Sequence, residues 1–150
     1  MRVKDIPWEK LKYIGRGTRT VVFGYRHYAI KVGYITPSDI RKYRQGVAAG
    51  YSPPLYDYAF DIRPPRHICD QLKQHTEFAD QYISDGMANV MVVARAQPAI
   101  TNKTLDCDLD EIDTLVDRLQ EELRQKGIRW GDDHSGNIGY YRNRLVVLDW

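Results

Sequence analysis

Three oxygen-bearing side chains near the end of the chain have a spacing that suits a divalent metal. In Trp130-Gly131-Asp132-Asp133-His134-Ser135-Gly136-Asn137, the Asp132 carboxylate and the Asn137 carboxamide stand five positions apart around a His-Ser-Gly bend. Asp149 follows the apolar run Leu145-Val146-Val147-Leu148, which reads as a strand able to fold back beside them. Mg²⁺ takes one or two carboxylates and completes its shell with water and substrate phosphates. Phosphoryl transfer asks for the same parts, a carboxylate at the attacking hydroxyl and a metal clamp on the phosphates.

A second set lies near the start. Gly15 and Gly17 fall in Ile14-Gly15-Arg16-Gly17-Thr18-Arg19-Thr20, where missing Cβ atoms let backbone amides approach phosphate oxygens. A plain hairpin turn uses glycine too, so the residues that follow must separate the readings. A dinucleotide fingerprint needs a helix straight after the glycines, whereas Val21 to Tyr25 reads as a strand. A Walker-type lysine would follow the second glycine directly, and Lys31 instead sits on the next strand, Tyr28 to Val32. Lys31 alternates with Ile30 and Val32, so it either snorkels from a sheet face or turns inward and needs a polar partner.

The elements that must position these groups follow from periodicity. Leu11 to Ile14 and Val21 to Tyr25 are expected as strands joined by the turn Gly15 to Thr18, with Tyr28 to Val32 as a third. A helix is expected from Ser38, its N-cap, through Ala49, with Gly50 as its stop. Leu55 to Ile62 reads as extended, His67 to Ile83 as helix and Val90 to Ala94 as a buried strand. Ile112, Leu115, Val116, Leu119 and Leu123 share one face of a helix over Asp108 to Lys126. Asp108 and Glu111 read as its capping box, and Gly127 as its C-terminal stop. Ile138 to Tyr141 and Leu145 to Leu148 complete a hairpin around Arg142-Asn143-Arg144. The order gives an α+β fold rather than repeated βαβ units.

Bulk properties set the bounds. The 150 residues fit one domain at the usual ~100–200 residues per domain. A net charge of +2 is too small to argue for nucleic acid. Arg41, Lys42 and Arg44, like Arg63 and Arg66, read as solvated basic faces. No apolar run approaches the ~20 residues that cross a bilayer. The first residues lack the apolar stretch of a signal peptide, and Cys69 and Cys107 read as reduced thiols. The expectation is a soluble cytoplasmic protein without membrane or nucleic-acid partners.

With the glycine turn, Ala29-Ile30-Lys31, Asp132-x-x-x-x-Asn137 and Asp149 in this order, the chain resembles the protein-kinase-like superfamily over nearly its whole length. Its loop is most similar to that of aminoglycoside and choline phosphotransferases, which share a histidine two places after the aspartate, here His134. Leu148-Asp149-Trp150 likewise resembles their metal-aspartate motif.

The resemblance implies ATP and Mg²⁺ as cofactors. It makes Asp132 the catalytic residue at the acceptor hydroxyl, His134 a brace for the loop, and Asn137 and Asp149 the Mg²⁺ ligands. Lys31 would grip the nucleotide phosphates under Gly15 and Gly17, and the backbone from Ala94 to Ala96 would read the adenine edge. The implied fold is an antiparallel N-lobe sheet with a helix and hinge over about 1–96. A minimal C-lobe of long helix, loop and hairpin would occupy about 97–150.

Four departures from the pattern stand out. Trp130 replaces the loop's leading histidine, and Thr20 the third glycine. The helix after Lys31 has no glutamate to pair with it. Asp39 is short and near the helix start, which leaves Glu77 as the other carboxylate, with an exposed helical position as its alternative explanation. Family members run on for about another hundred residues, so the expectation is a form lacking most of that lobe. A second copy of the chain or a partner protein would then cover the exposed surface. The implied activity is phosphoryl transfer to a small-molecule or protein hydroxyl; the alternative is a nucleotide-binding pseudokinase that regulates a partner.

Overall fold

The computed structural model describes residues 1–76, 86–101 and 106–150. These form an α+β protein with an antiparallel sheet of five strands, a smaller sheet of three, and three helices among the described residues. The chain divides into two compact units, Met1–Ile40 with Pro54–Arg95, and Arg41–Pro53 with Ala96–Trp150.

The first unit is built on strands β1 (Lys12–Arg16), β2 (Thr20–Tyr25), β3 (Tyr28–Gly33), β4 (Leu55–Ile62) and β5 (Ala88–Ala94), in the spatial order β1-β2-β3-β5-β4. Register explains its core. Val21 and Phe23 pair with Val32 and Ile30, which pair in turn with Val90 and Val92, so alternate residues of three strands line one face. Helix α2 (Arg66–His75) adds Ile68 and Leu72, and the N-terminal segment adds Val3 and Ile6. Phe23, Ile30, Val32, Val92 and Leu72 are fully buried, each contributing roughly 1.5–3 kcal/mol relative to exposure.

The second unit has its own core. Helix α3 (Asp106–Gln125) presents Ile112, Val116, Leu119 and Leu123 to Ile128, Trp130, Ile138 and Val147. Strands β6 (Gln97–Pro98), β7 (Ile138–Tyr141) and β8 (Arg144–Val147) form the small sheet in that order. Helix α1 (Pro37–Ala48) starts in the first unit and ends in the second.

Local chemistry accounts for the helix ends. Thr36 caps α1, not Ser38. Thr36 Oγ1 accepts from the Asp39 N–H at 3.1 Å, and Asp39 Oδ2 accepts from the Thr36 N–H at 2.8 Å. That reciprocal capping box puts Pro37 at the first helical position, where its missing N–H is harmless. Both α1 and α3 close in Schellman turns. Tyr51 N–H donates to Gly46 O around Gly50 (φ 81°), and Ile128 N–H to Leu123 O around Gly127 (φ 71°).

Several expected boundaries shift. Strand β1 carries Gly15 and Arg16, so the glycine turn spans 17–19 and closes with Gly17 N–H on Thr20 O at 2.8 Å. The helix expected to reach Ile83 ends at His75, where Thr76 turns extended and its N–H donates to Leu72 O; residues 77–83 lie outside the described set. Helix α3 begins at Asp106, so Asp108 is inside its first turn rather than at its cap. The final hairpin turns on two residues, Arg142 and Asn143, both at positive φ. Among the described residues, no helix is long and apolar enough to cross a membrane. Cys69 is a free thiol; the Cys107 side chain lies outside the described set.

Candidate functional site

The loop from Trp130 to Asn137 brings Asp132, His134 and Asn137 together. Asn137 Nδ2 donates to Asp132 Oδ2 at 2.7 Å and to the Asp132 carbonyl at 3.0 Å, using both amide hydrogens. The His134 N–H donates to Asp132 O and the Asn137 N–H to His134 O, so the bend is closed by its own backbone. Gly136 N–H donates to His134 Nδ1 at 3.1 Å. Nε2 of the same ring lies 3.5 Å from Asp132 Oδ1 and 3.1 Å from Asn137 Nδ2. His134 thus braces the Asp132 carboxylate from one side while Asn137 holds it from the other. Asp132 and His134 remain 57% and 58% exposed, so the carboxylate is open to solvent.

Asp149 reaches this loop through hairpin register. Ile138 pairs with Val147, and the Leu148 N–H donates to Asn137 O at 2.7 Å, which sets Asp149 beside the Gly136–Asn137 bend. Trp130, buried in the second core, donates its indole N–H to the Asp149 carbonyl at 3.0 Å. A tryptophan thus supplies an N–H donor where the resemblance expects histidine. The Asp149 charge is also felt by Tyr43 of α1. Burial, with that charge, pushes the Tyr43 phenol far above its ordinary range, and its hydroxyl donates to Pro53 O at 2.9 Å.

Among the described residues, no three His, Cys, Asp or Glu side chains converge as a closed metal cage. Asn137 spends its NH₂ on Asp132, which leaves its amide oxygen as an acceptor that could serve a hard cation. An open groove of about 650 Å³ borders the loop, lined by Asp117, Glu121, Arg129, Trp130 and Asp133 among others.

In the first unit, Lys31 is half-buried and in register between Val22 of β2 and Met91 of β5. It shares the sheet face opposite the core with the buried Ala29 and Val93. Gly15 is in β1 at a register irregularity, and a Cβ built there meets nothing within 4 Å. Among the described residues, its lack of a side chain therefore serves no close contact. The Ala94 and Arg95 N–H groups donate to Pro54 O and His27 O, at 2.9 and 2.8 Å. Ala96, which follows β5, is half-buried.

Asp39 is engaged in the α1 cap and lies 3.4 Å from Arg19. Burial alone would raise its carboxyl pKa, but the Thr36 hydrogen bonds and the Arg19 charge outweigh that and lower it. Glu77 lies outside the described residues.

Sequence reasoning passed over Gly46 and Ser52, and noted Trp130 only as a departure from the loop pattern. Gly46 and Ser52 flank the Trp150 ring. Trp150 Nε1 donates to Ser52 Oγ at 2.7 Å, and a Cβ on Gly46 would lie 2.3 Å from Trp150 Cζ2. Glycine inside a helix was the available signal, because it is unfavourable there without a packing reason. Comparison with known protein families and with curated proteins finds no match to this chain.

Proposed function

We propose that the chain is an ATP- and Mg²⁺-dependent phosphotransferase of the protein-kinase-like type, moving the γ-phosphoryl group to a hydroxyl of a small molecule or partner protein. The observation that carries this reading is the Asp132–His134–Asn137 cluster with Asp149 set beside it by hairpin register. In this reading the exposed Asp132 carboxylate orients the acceptor hydroxyl and takes its proton, held in place by Asn137 and His134. Asn137 Oδ1 and Asp149 would hold Mg²⁺, which neutralises charge on the transferring phosphates. In this reading Lys31 would supply a cation for nucleotide phosphates. The groove beside Trp130 and Asp133 offers room for an acceptor.

Calorimetry with ATP, with and without Mg²⁺, tests the binding half of the proposal. Saturable binding that needs Mg²⁺ and weakens at least tenfold in Lys31→Ala and Asn137→Ala is expected. Binding indifferent to Mg²⁺ and to both substitutions would remove the proposal's basis. The pseudokinase reading draws on one observation: Asp39, the only acidic residue of α1, is committed to the helix cap. It predicts the same Mg²⁺-dependent binding with no turnover.

A further inference from the structure

We propose that Trp130 and Trp150 are positioning residues that clamp Asp149 by its backbone on both sides, a role that rests on the phosphotransferase reading. Asp149 is half-buried. A metal ligand works only if held within about 0.5 Å of its productive place by the residues around it. Here the Asp149 carbonyl accepts from the buried Trp130 indole at 3.0 Å. The next residue, Trp150, is fixed through its own indole N–H to Ser52 Oγ at 2.7 Å, and Ser52 is itself buried.

The Trp150 ring lies against bare Gly46 backbone, with Cζ2 and Cε2 at 2.3 and 2.7 Å from where a Cβ would stand. On the other side of Asp149, Val147 and Leu148 donate to Tyr51 O and Asn137 O, each at 2.7 Å. The second half of α1 and the segment 49–53 therefore form one side of the clamp, and the loop from Trp130 the other. Gly46 and Ser52 belong to no metal or catalytic motif. They connect the helix directly to the residue after the metal aspartate, and a shift of α1 relative to the hairpin would move Asp149 with it. The outer partners of metal ligands commonly control metal affinity in this way.

Two conservative substitutions separate the clamp from general stability. Trp130→Phe keeps a buried ring and removes the N–H donor; Ser52→Ala removes the acceptor for Trp150. Amide hydrogen exchange on the folded protein should show Leu148 and Trp150 exchanging about three- to tenfold faster in each variant, the loss of one hydrogen bond, with β2 and β3 amides unchanged. The Mg²⁺ concentration for half-maximal ATP binding should rise about tenfold in each. Unchanged exchange in both variants would overturn the clamp. Faster exchange with unchanged Mg²⁺ dependence would overturn the positioning role and leave the phosphotransferase reading standing. A parent protein that binds no ATP in Mg²⁺ would overturn that reading and the positioning role with it, whatever the exchange rates show.

Discussion

Replacing Gly46 by alanine puts a methyl group where the Trp150 indole already lies. At an ordinary helical position, Gly→Ala gains about 0.5–1 kcal/mol, because alanine loses less backbone entropy on folding. At Gly46 the new Cβ would stand 2.3 Å from Trp150 Cζ2 and 2.5 Å from Ser52 Oγ. Neither neighbour is the free end of a flexible chain, since the rigid indole and the buried serine hold each other. Overpacking of this kind costs about 1–3 kcal/mol, and losing the Trp150–Ser52 hydrogen bond adds about 0.5–1.5 kcal/mol. The helical gain offsets part of this, leaving a net loss of about 0.5–4 kcal/mol, read as a lower urea midpoint by circular dichroism. In a Trp150→Ala background the indole is gone and Ser52 loses the partner that holds its hydroxyl, so the same substitution should cost clearly less. Gly46→Ala proteins as stable as their parents in both backgrounds would refute the packing argument.

Gly15→Ala should leave the urea midpoint within about 0.5 kcal/mol of the parent, since the methyl meets nothing, yet weaken ATP binding several-fold in calorimetry. Weakened stability with unchanged ATP binding would assign Gly15 a folding role instead. Asp39→Ala should destabilise α1 by about 0.5–2 kcal/mol at neutral pH through loss of the capping box. Because the folded carboxyl pKa is lowered, that stability is fully present above the ordinary Asp value of 3.8 and fades as pH falls through the folded value. The gap between parent and variant in urea melts should therefore close in acid. Arg142→Asn with Asn143→Gly should raise the midpoint by about 0.5–1 kcal/mol, because both turn residues hold positive φ that these replacements adopt more readily.

Much of the fold was readable where one local rule acted alone. The apolar stripe Ile112, Val116, Leu119 and Leu123 is a helix face in the sequence and a core face in the structure. Leu55–Ile62 is a strand over the expected span, and Gly50 and Gly127 stop their helices. The α1 cap was misplaced because Thr36 and Ser38 are both good caps. Proline at position 37 followed by Asp39 favours Thr36, and that combination was the usable signal. Strand β6 is two residues long and carries no periodicity to detect. The bend around Asp132, His134 and Asn137 is local in sequence, which is why its residues could be named. The contacts that hold Asp149 are not local. Trp130 reaches it across 19 positions, and Ser52 reaches Trp150 across 98. No pattern along the chain announces such pairs; a helical glycine without evident purpose was their only trace.

The central claim is phosphoryl transfer at Asp132. Its most direct test is incubation of the protein with γ-labelled ATP and Mg²⁺, following label release or transfer in the parent, Asp132→Ala and Asp149→Ala. Mg²⁺-dependent turnover is expected in the parent, with its loss by two or more orders of magnitude in both variants and circular dichroism unchanged. Turnover that persists in Asp132→Ala, or a parent that binds ATP with Mg²⁺ and never turns it over, would contradict the claim.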